Sequence, residues 1–269
     1  MMSIIRADLY RITRGKSLFV AFAIVALLSA AFIVALAISD SELPIMEGSV
    51  LRVDTAAEVQ TLALTGANAI AALFALSSFN IMFLIPLFMV VAGHVFQDGT
   101  AKNEVTWGTS RTKIYVARMI TVAVLCVIQL AIFVGVGATI ATALRGFGET
   151  PDGWLVSHFL APFAAQSFMF IAAGLFGIFL VFMIKGSFVV VEVFGFAMFG
   201  ASFLTMILAM SGADVSPILR IDMMHQIALL ANVASMETGD ILGALGLGAA
   251  WLVIPAAIGI YRFRTAEIK

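Results

Sequence analysis

Side chains able to do chemistry are few in this sequence, and their spacings lead away from catalysis. Gly15-Lys16-Ser17 ends like a phosphate-binding loop, in which backbone amides and a lysine cradle nucleotide phosphates. That loop needs a glycine five positions before the Gly of the Gly-Lys pair, where Tyr10 stands, and a strand in front of it; here an apolar run follows instead. His94, His158 and His225 are scattered and form no HExxH pattern. Asp222 and His225 share a helical face, yet two ligands fall short of the three or four that a zinc site takes. The sequence therefore predicts no catalytic, cofactor-binding or metal-ligating set. The single cysteine, Cys126, lies inside an apolar run and reads as inert packing. Glu192 is the one charged residue well inside such a run. It stands five residues after Ser187, about 7–8 Å along a helix, within reach of interfacial water or Lys185. A carboxylate buried in hydrocarbon is costly and calls for a role. A proton relay usually needs further buried acids, and no other run supplies one, which favours an interhelical hydrogen bond or salt bridge over a transport site. Asn68 and Asn80 are two more polar groups able to hydrogen-bond inside apolar runs.

The elements that must hold these residues are set by composition. Of 269 residues, 62% are hydrophobic and only 12% charged, against about 45–50% and about 25% in a soluble globular domain. Mean hydropathy is +1.10. A water-soluble fold of this size would expose large apolar patches, so the expected solvent is a lipid bilayer. Disorder, nucleic-acid binding and a disulfide scaffold are excluded together. The net charge of −1 names no partner by itself.

A spanning helix takes about 20 apolar residues, and the chain offers six such runs: about 18–38, 67–96, 114–144, 154–184, 187–210 and 241–261. Pro86 is expected to kink the second, and Pro162 to mark an interfacial start of the fourth. With both termini in the cytoplasm, twelve of the fifteen Lys and Arg fall inside; only Arg52, Arg145 and Arg220 fall outside. That asymmetry follows the positive-inside rule, and an odd number of spans would spoil it. Tyr10, Tyr115 and Tyr261 are placed at the inner interface and Trp154 at the outer one, with Arg111, Lys113 and Arg118 among the inner headgroups. The first run is too long for a signal-peptide core of about 7–15 residues and is read as a retained span. The expectation is one all-α transmembrane domain over 1–269 in a multi-pass protein.

Before the first span, Ile5, Leu9 and Ile12 recur at i, i+4, i+7 while Arg6, Arg11 and Arg14 take other faces. This is either a short helix lying in the inner interface or a basic flank that sets orientation; Asp8 interrupts the apolar stripe. Outside, residues 216–233 read as partly helical, with Ser216 as cap and Pro217 at the first helical position. Eleven acids against three bases leave the outer segments at −8. Such a face either concentrates a cationic ligand or merely reflects the bases kept inside. Small residues at four-residue spacing, Ala173/Gly177, Ala197/Ala201 and Ala244/Gly248, allow close helix approach. The loop 97–113 between spans two and three is the most polar inner segment. It supports a short helix ending at Gly108, with Ser110 as cap of the third span; the alternative is a solvated turn.

Asp98-Gly99-Thr100-Ala101-Lys102-Asn103, then Gly108-Thr109-Ser110-Arg111-Thr112-Lys113-Ile114-Tyr115, resembles the loop of ABC-2 type transporter permeases. The likeness is to their small six-helix subunits serving bacterial export of, and self-protection against, lantibiotic- or bacitracin-type antimicrobial peptides. Tyr261-Arg262-Phe263-Arg264-Thr265-Ala266-Glu267-Ile268-Lys269 resembles their closing pattern. The resemblance implies an elbow helix over 2–16 and a coupling helix at about 98–108 docked in a groove of a separate ATPase. It implies coupling residues Asp98, Gly99, Thr100, Lys102, Glu104, Trp107, Gly108 and Arg111. It further implies two ATPase subunits that bind the ATP, a second permease copy or sister permease, and a bacterial-type cell membrane. The function so implied is ATP-driven export of a hydrophobic or amphipathic substrate, an antimicrobial peptide being one candidate. The rival class is an ATP-independent secondary carrier or membrane scaffold. A carrier is expected to show internal repeats or mid-membrane ion-binding groups, and the two three-span halves show no convincing repeat.

Overall fold

A computed structural model describes residues 2–38, 43–44, 61–62, 64–93, 110–184 and 187–265. Six of its helices are long and apolar enough to cross a membrane, giving an all-α polytopic membrane protein. In chain order the elements are α1 (Met2–Arg14), α2 (Lys16–Ile38), β1 (Leu43–Pro44), β2 (Thr61–Leu62), α3 (Gly66–Asn80), α4 (Leu84–Phe88), α5 (Arg111–Arg145), α6 (Ala161–Ile184), α7 (Ser187–Met210), α8 (Ser216–Leu219), α9 (Met223–Leu229) and α10 (Thr238–Thr265). The two short strands pair antiparallel, Leu43 with Leu62.

Helices α5 and α6 form the centre. α5 packs on α2, α3 and α6, and α6 packs on α10. At 1.5 Å per residue the 35 residues of α5 run about 52 Å, well beyond a hydrocarbon core of about 30 Å, so Arg111 and Arg145 project at opposite ends. Burial grades outward from this centre: 67% of the span containing α6 is buried but only 17% of that formed by α7. α7 therefore turns most of its apolar surface away from the rest of the bundle.

The second span is not simply kinked at Pro86. It is divided into α3, a 3-10 turn at Ile81–Phe83, α4 and a π-helical turn at Met89–Gly93. Pro86 has no N–H to give, and its ring crowds the carbonyl of Met82 four residues back. The irregular turns on either side absorb that fault. A π-helical turn at Leu155–Leu160 runs directly into α6, so Pro162 stands inside a continuous helical span, just after the wider turn.

The expected close helix approaches occur at two of the three small-residue pairs. Gly177 lies against the ring of Phe88, and Gly248 against Met169 and Phe168, with Ala173 and Ala244 buried beside them. Ala197 and Ala201 on α7 are only half-buried.

α1, the start of α5 and the end of α10 lie at one end of the bundle, the termini end. There the Arg111 side chain donates to the carbonyl of Arg264 (3.4 Å), joining the start of α5 to the end of α10. At the other end, Gly66 and Ala67 donate their backbone N–H groups to the carbonyls of Gly146 and Phe147 (both 2.9 Å). The loop after α5 thus satisfies donors that the first turn of α3 leaves open.

Candidate functional site: an acidic cavity and two buried polar ties

The segment 216–232 is folded back into the end of the bundle away from the termini, where α9 packs on α3 and α7. It is helical, as its sequence predicts, but Ser216 is not the cap. Ser216 is the first residue of α8, and Asp214 accepts its backbone N–H (2.9 Å) and its hydroxyl (3.1 Å). These bonds, with Arg220 nearby, hold the Asp214 carboxyl below its ordinary value. Asp222 caps α9, accepting the Met224 N–H on Oδ1 (3.0 Å).

That cap lies at the wall of a cavity of about 280 Å³ between α3, α7 and the α8–α9 segment. Its apolar wall is Phe79, Phe199, Phe203, Met206, Leu219 and Met224. Its polar groups are Ser78, Ser202, Thr205, Asp222 and His225. Asp222 is 1% exposed, and its Oδ2 accepts the Ser202 hydroxyl from α7 (2.5 Å). The Thr205 hydroxyl is spent on the carbonyl of Ala201 (2.8 Å). Burial holds the His225 imidazole below its ordinary value, with the Asp222 carboxylate pulling weakly the other way. Asp222 and His225, expected on one helical face, thus meet at one cavity.

Deeper in the bundle, two glutamines tie the spans together. Gln166 on α6 donates to the carbonyls of Phe74 on α3 and Ile227 on α9 (both 2.9 Å) and accepts the Ser77 hydroxyl (2.7 Å). Gln129 on α5 donates to the backbone and side-chain oxygens of Asn80 (both 3.0 Å). An amide can satisfy several partners without carrying charge, which suits it to such ties. Ser29 on α2 donates to the Phe133 carbonyl of α5 (2.5 Å).

At the termini end, α1 is clasped to α5 by an ion pair between Asp8 and Arg118, with Asp8 also 3.8 Å from Arg11. Arg118 was expected among the headgroups, but it is fully buried. It stands two turns inside α5, opposite the inward face of α1. Asp8, read as a flaw in the apolar stripe, is the residue that α1 buries beside Ile12, whereas Leu9 is partly exposed. Tyr115 is likewise no interface anchor. It is buried against Phe182 and Phe263, while Tyr10 and Tyr261 are exposed as expected.

Of the residues singled out in the sequence, Asp98, Gly99, Thr100, Lys102, Glu104, Trp107 and Gly108 lie outside the described residues. Arg111 opens α5, with Ser110 in the cap position but making no side-chain capping bond. Asn68 lies in the first turn of α3, its N–H bonded to Thr65 Oγ1 (3.3 Å), and Asn80 is the partner of Gln129. Glu192 does not join two helices within the described residues: it is exposed on α7, between the outward-facing Val191 and Val193. Gln129, Gln166 and the Asp8–Arg118 pair were missed. Their only signal is a lone polar or charged side chain within or beside an apolar run.

Fold and site together define a polytopic, six-span helical membrane protein with a small acidic cavity at one end. No family model matches the chain, and no curated protein does either.

Proposed function

We propose that the chain is the permease subunit of an ATP-driven exporter. The observation that carries this reading is the stretch Asp98–Tyr115, whose residues resemble the ABC-2 permease loop and which connects the second span to α5 at the termini end. The clasp of α1 to α5 through Asp8 and Arg118 supports it, because an elbow helix fixed to α5 would move with the span that the loop drives. ATP would be bound and hydrolysed by two partner ATPase subunits, since the chain has no phosphate-binding loop of its own. Closure of those subunits would push the loop, shift the second span and α5, and release a hydrophobic or amphipathic substrate at the interface with a second permease. An antimicrobial peptide is the candidate substrate, and a bacterial-type cell membrane the expected location.

The test is affinity purification of the full chain from its native membrane, with ATPase activity read in the eluate. A co-purifying ABC ATPase is expected, and charge reversal at Glu104 or Arg111 should uncouple transport from hydrolysis while insertion is kept. If no ATPase associates, or both reversals leave coupling unchanged, the carrier or scaffold reading replaces this one.

A further inference from the structure

We propose that the cavity between α3, α7 and α9 binds an amphipathic organic cation, an ammonium head against Asp222 with a short aryl or alkyl body among the phenylalanines. The inference goes beyond the exporter reading, because binding is a property of this chain alone and needs no ATPase.

The first reason is a buried carboxylate with no Lys or Arg partner among the described residues. A buried charge is stable only when paired or well hydrogen-bonded, and among the described residues no Lys or Arg forms an ion pair with Asp222. His225 does not fill the gap, since burial favours its neutral form. A carboxylate has about four acceptor positions, and Met224 and Ser202 use two. The remaining capacity belongs to the oxygens of a residue that lines the cavity.

Shape and lining give the second reason. A space of about 280 Å³ lies at the lower end of small-molecule sites, roughly 300–1,000 Å³, so it takes one ring or a short chain with its head and no more. Phe79, Phe199 and Phe203 offer aromatic faces, which attract ammonium groups as well as apolar bodies. An anion would meet Asp222 as a like charge, and a neutral molecule would leave it unpaired.

Access supplies the third. Phe79, Phe203 and Met206 are 51%, 63% and 47% exposed, so the cavity opens sideways through α7, the span least covered by the rest of the bundle. A ligand dissolved in the leaflet would enter apolar end and head together. The −8 of the outer segments would raise the local concentration of cations at that surface.

The ammonium could be carried by a free amine or by an amine-bearing lipid. Both are tested by calorimetric titration of the full chain in maltoside micelles, with empty micelles subtracted. The probes are phenylpropylamine, its neutral isostere phenylpropanol and the anion phenylpropionate. Phenylpropylamine is expected to bind at least about tenfold tighter than phenylpropanol, the order of one charge-assisted contact, with phenylpropionate weakest. Asp222→Asn keeps an N-capping side chain and should erase that preference while leaving phenylpropanol within about threefold. Met206→Trp leaves the carboxylate in place and fills the mouth, so it should weaken amine and alcohol alike. Equal affinity for the three probes, absent amine binding, or a preference that survives Asp222→Asn overturns the assignment. Competition by phosphatidylethanolamine added to the micelles identifies a lipid as the source of the head; its failure to compete identifies a free amine.

Discussion

Arg118 is fully buried, and Asp8, one helix away, is its ion-pair partner. Breaking a buried pair from one side leaves the other charge stranded, at a cost of about 3–5 kcal/mol. Asp8→Ala and Arg118→Met are each expected to lower the thermal midpoint in detergent sharply. The double variant Asp8→Leu/Arg118→Met should recover much of the loss, because a well-packed apolar pair is often nearly neutral. Additive losses would show that the two side chains do not act as a pair. His225 sets a pH dependence of the opposite end. Unfolded, it takes up a proton as pH falls through its ordinary 6.5, whereas burial depresses its value in the folded chain. Its contribution is therefore complete above that pH and is lost as pH falls toward the lower, folded value. The midpoint should drop between about pH 7.5 and pH 5.5, and His225→Gln should flatten part of that drop; an unchanged profile would remove His225 from the account.

At the scale of elements, packing is set by where small residues let helices touch. Gly177 brings α6 onto the ring of Phe88, an aromatic side chain walled in by Phe194. A branched side chain there must displace that ring, so Gly177→Val is expected to cost about 1–3 kcal/mol, measured by thermal unfolding, whereas Gly243→Val on α10, with open space around its Cα, should cost little. These approaches were legible in the sequence because spacing by four survives in any helix. So were the six spans, since length and apolarity suffice to define them. The outer helices were legible from Pro217 and the apolar run to Val233. What stayed hidden depends on which helix faces which. Gln129 and Gln166 sit in uncharged runs where one polar residue looks incidental, and only the meeting of α5 with α3, and of α6 with α3 and α9, gives them partners. Arg118 was misread as a headgroup contact, because a basic flank is the commonest use of such residues near a membrane, and Asp8 as a mere break in the apolar stripe. Asp222 became informative only once α7 delivered Ser202 to it.

For the whole molecule, the decisive quantity is which end faces the cytoplasm. The structure places the start of α5 and the end of α10 together, with α1 clasped nearby, so the exposed bases Lys113, Arg262 and Arg264 share one end. The segment holding the cavity lies at the other. The excess of bases predicts that the first end faces the cytoplasm; the cavity would then open toward the outer leaflet, where a cation arriving from outside would meet it. The native Cys126 is buried, which leaves a quiet background for labelling with a membrane-impermeant maleimide. Ser235→Cys, exposed beyond α9, should react in intact cells. Lys113→Cys and Arg264→Cys should react only after permeabilisation, and the parent chain should not react until it is denatured. A reversed pattern would turn the molecule over in the membrane: the acidic cavity would face the inner leaflet, and the Asp98–Tyr115 stretch would lie where no cytosolic ATPase could reach it. One labelling experiment thus constrains both the exporter reading and the route by which a cation reaches Asp222.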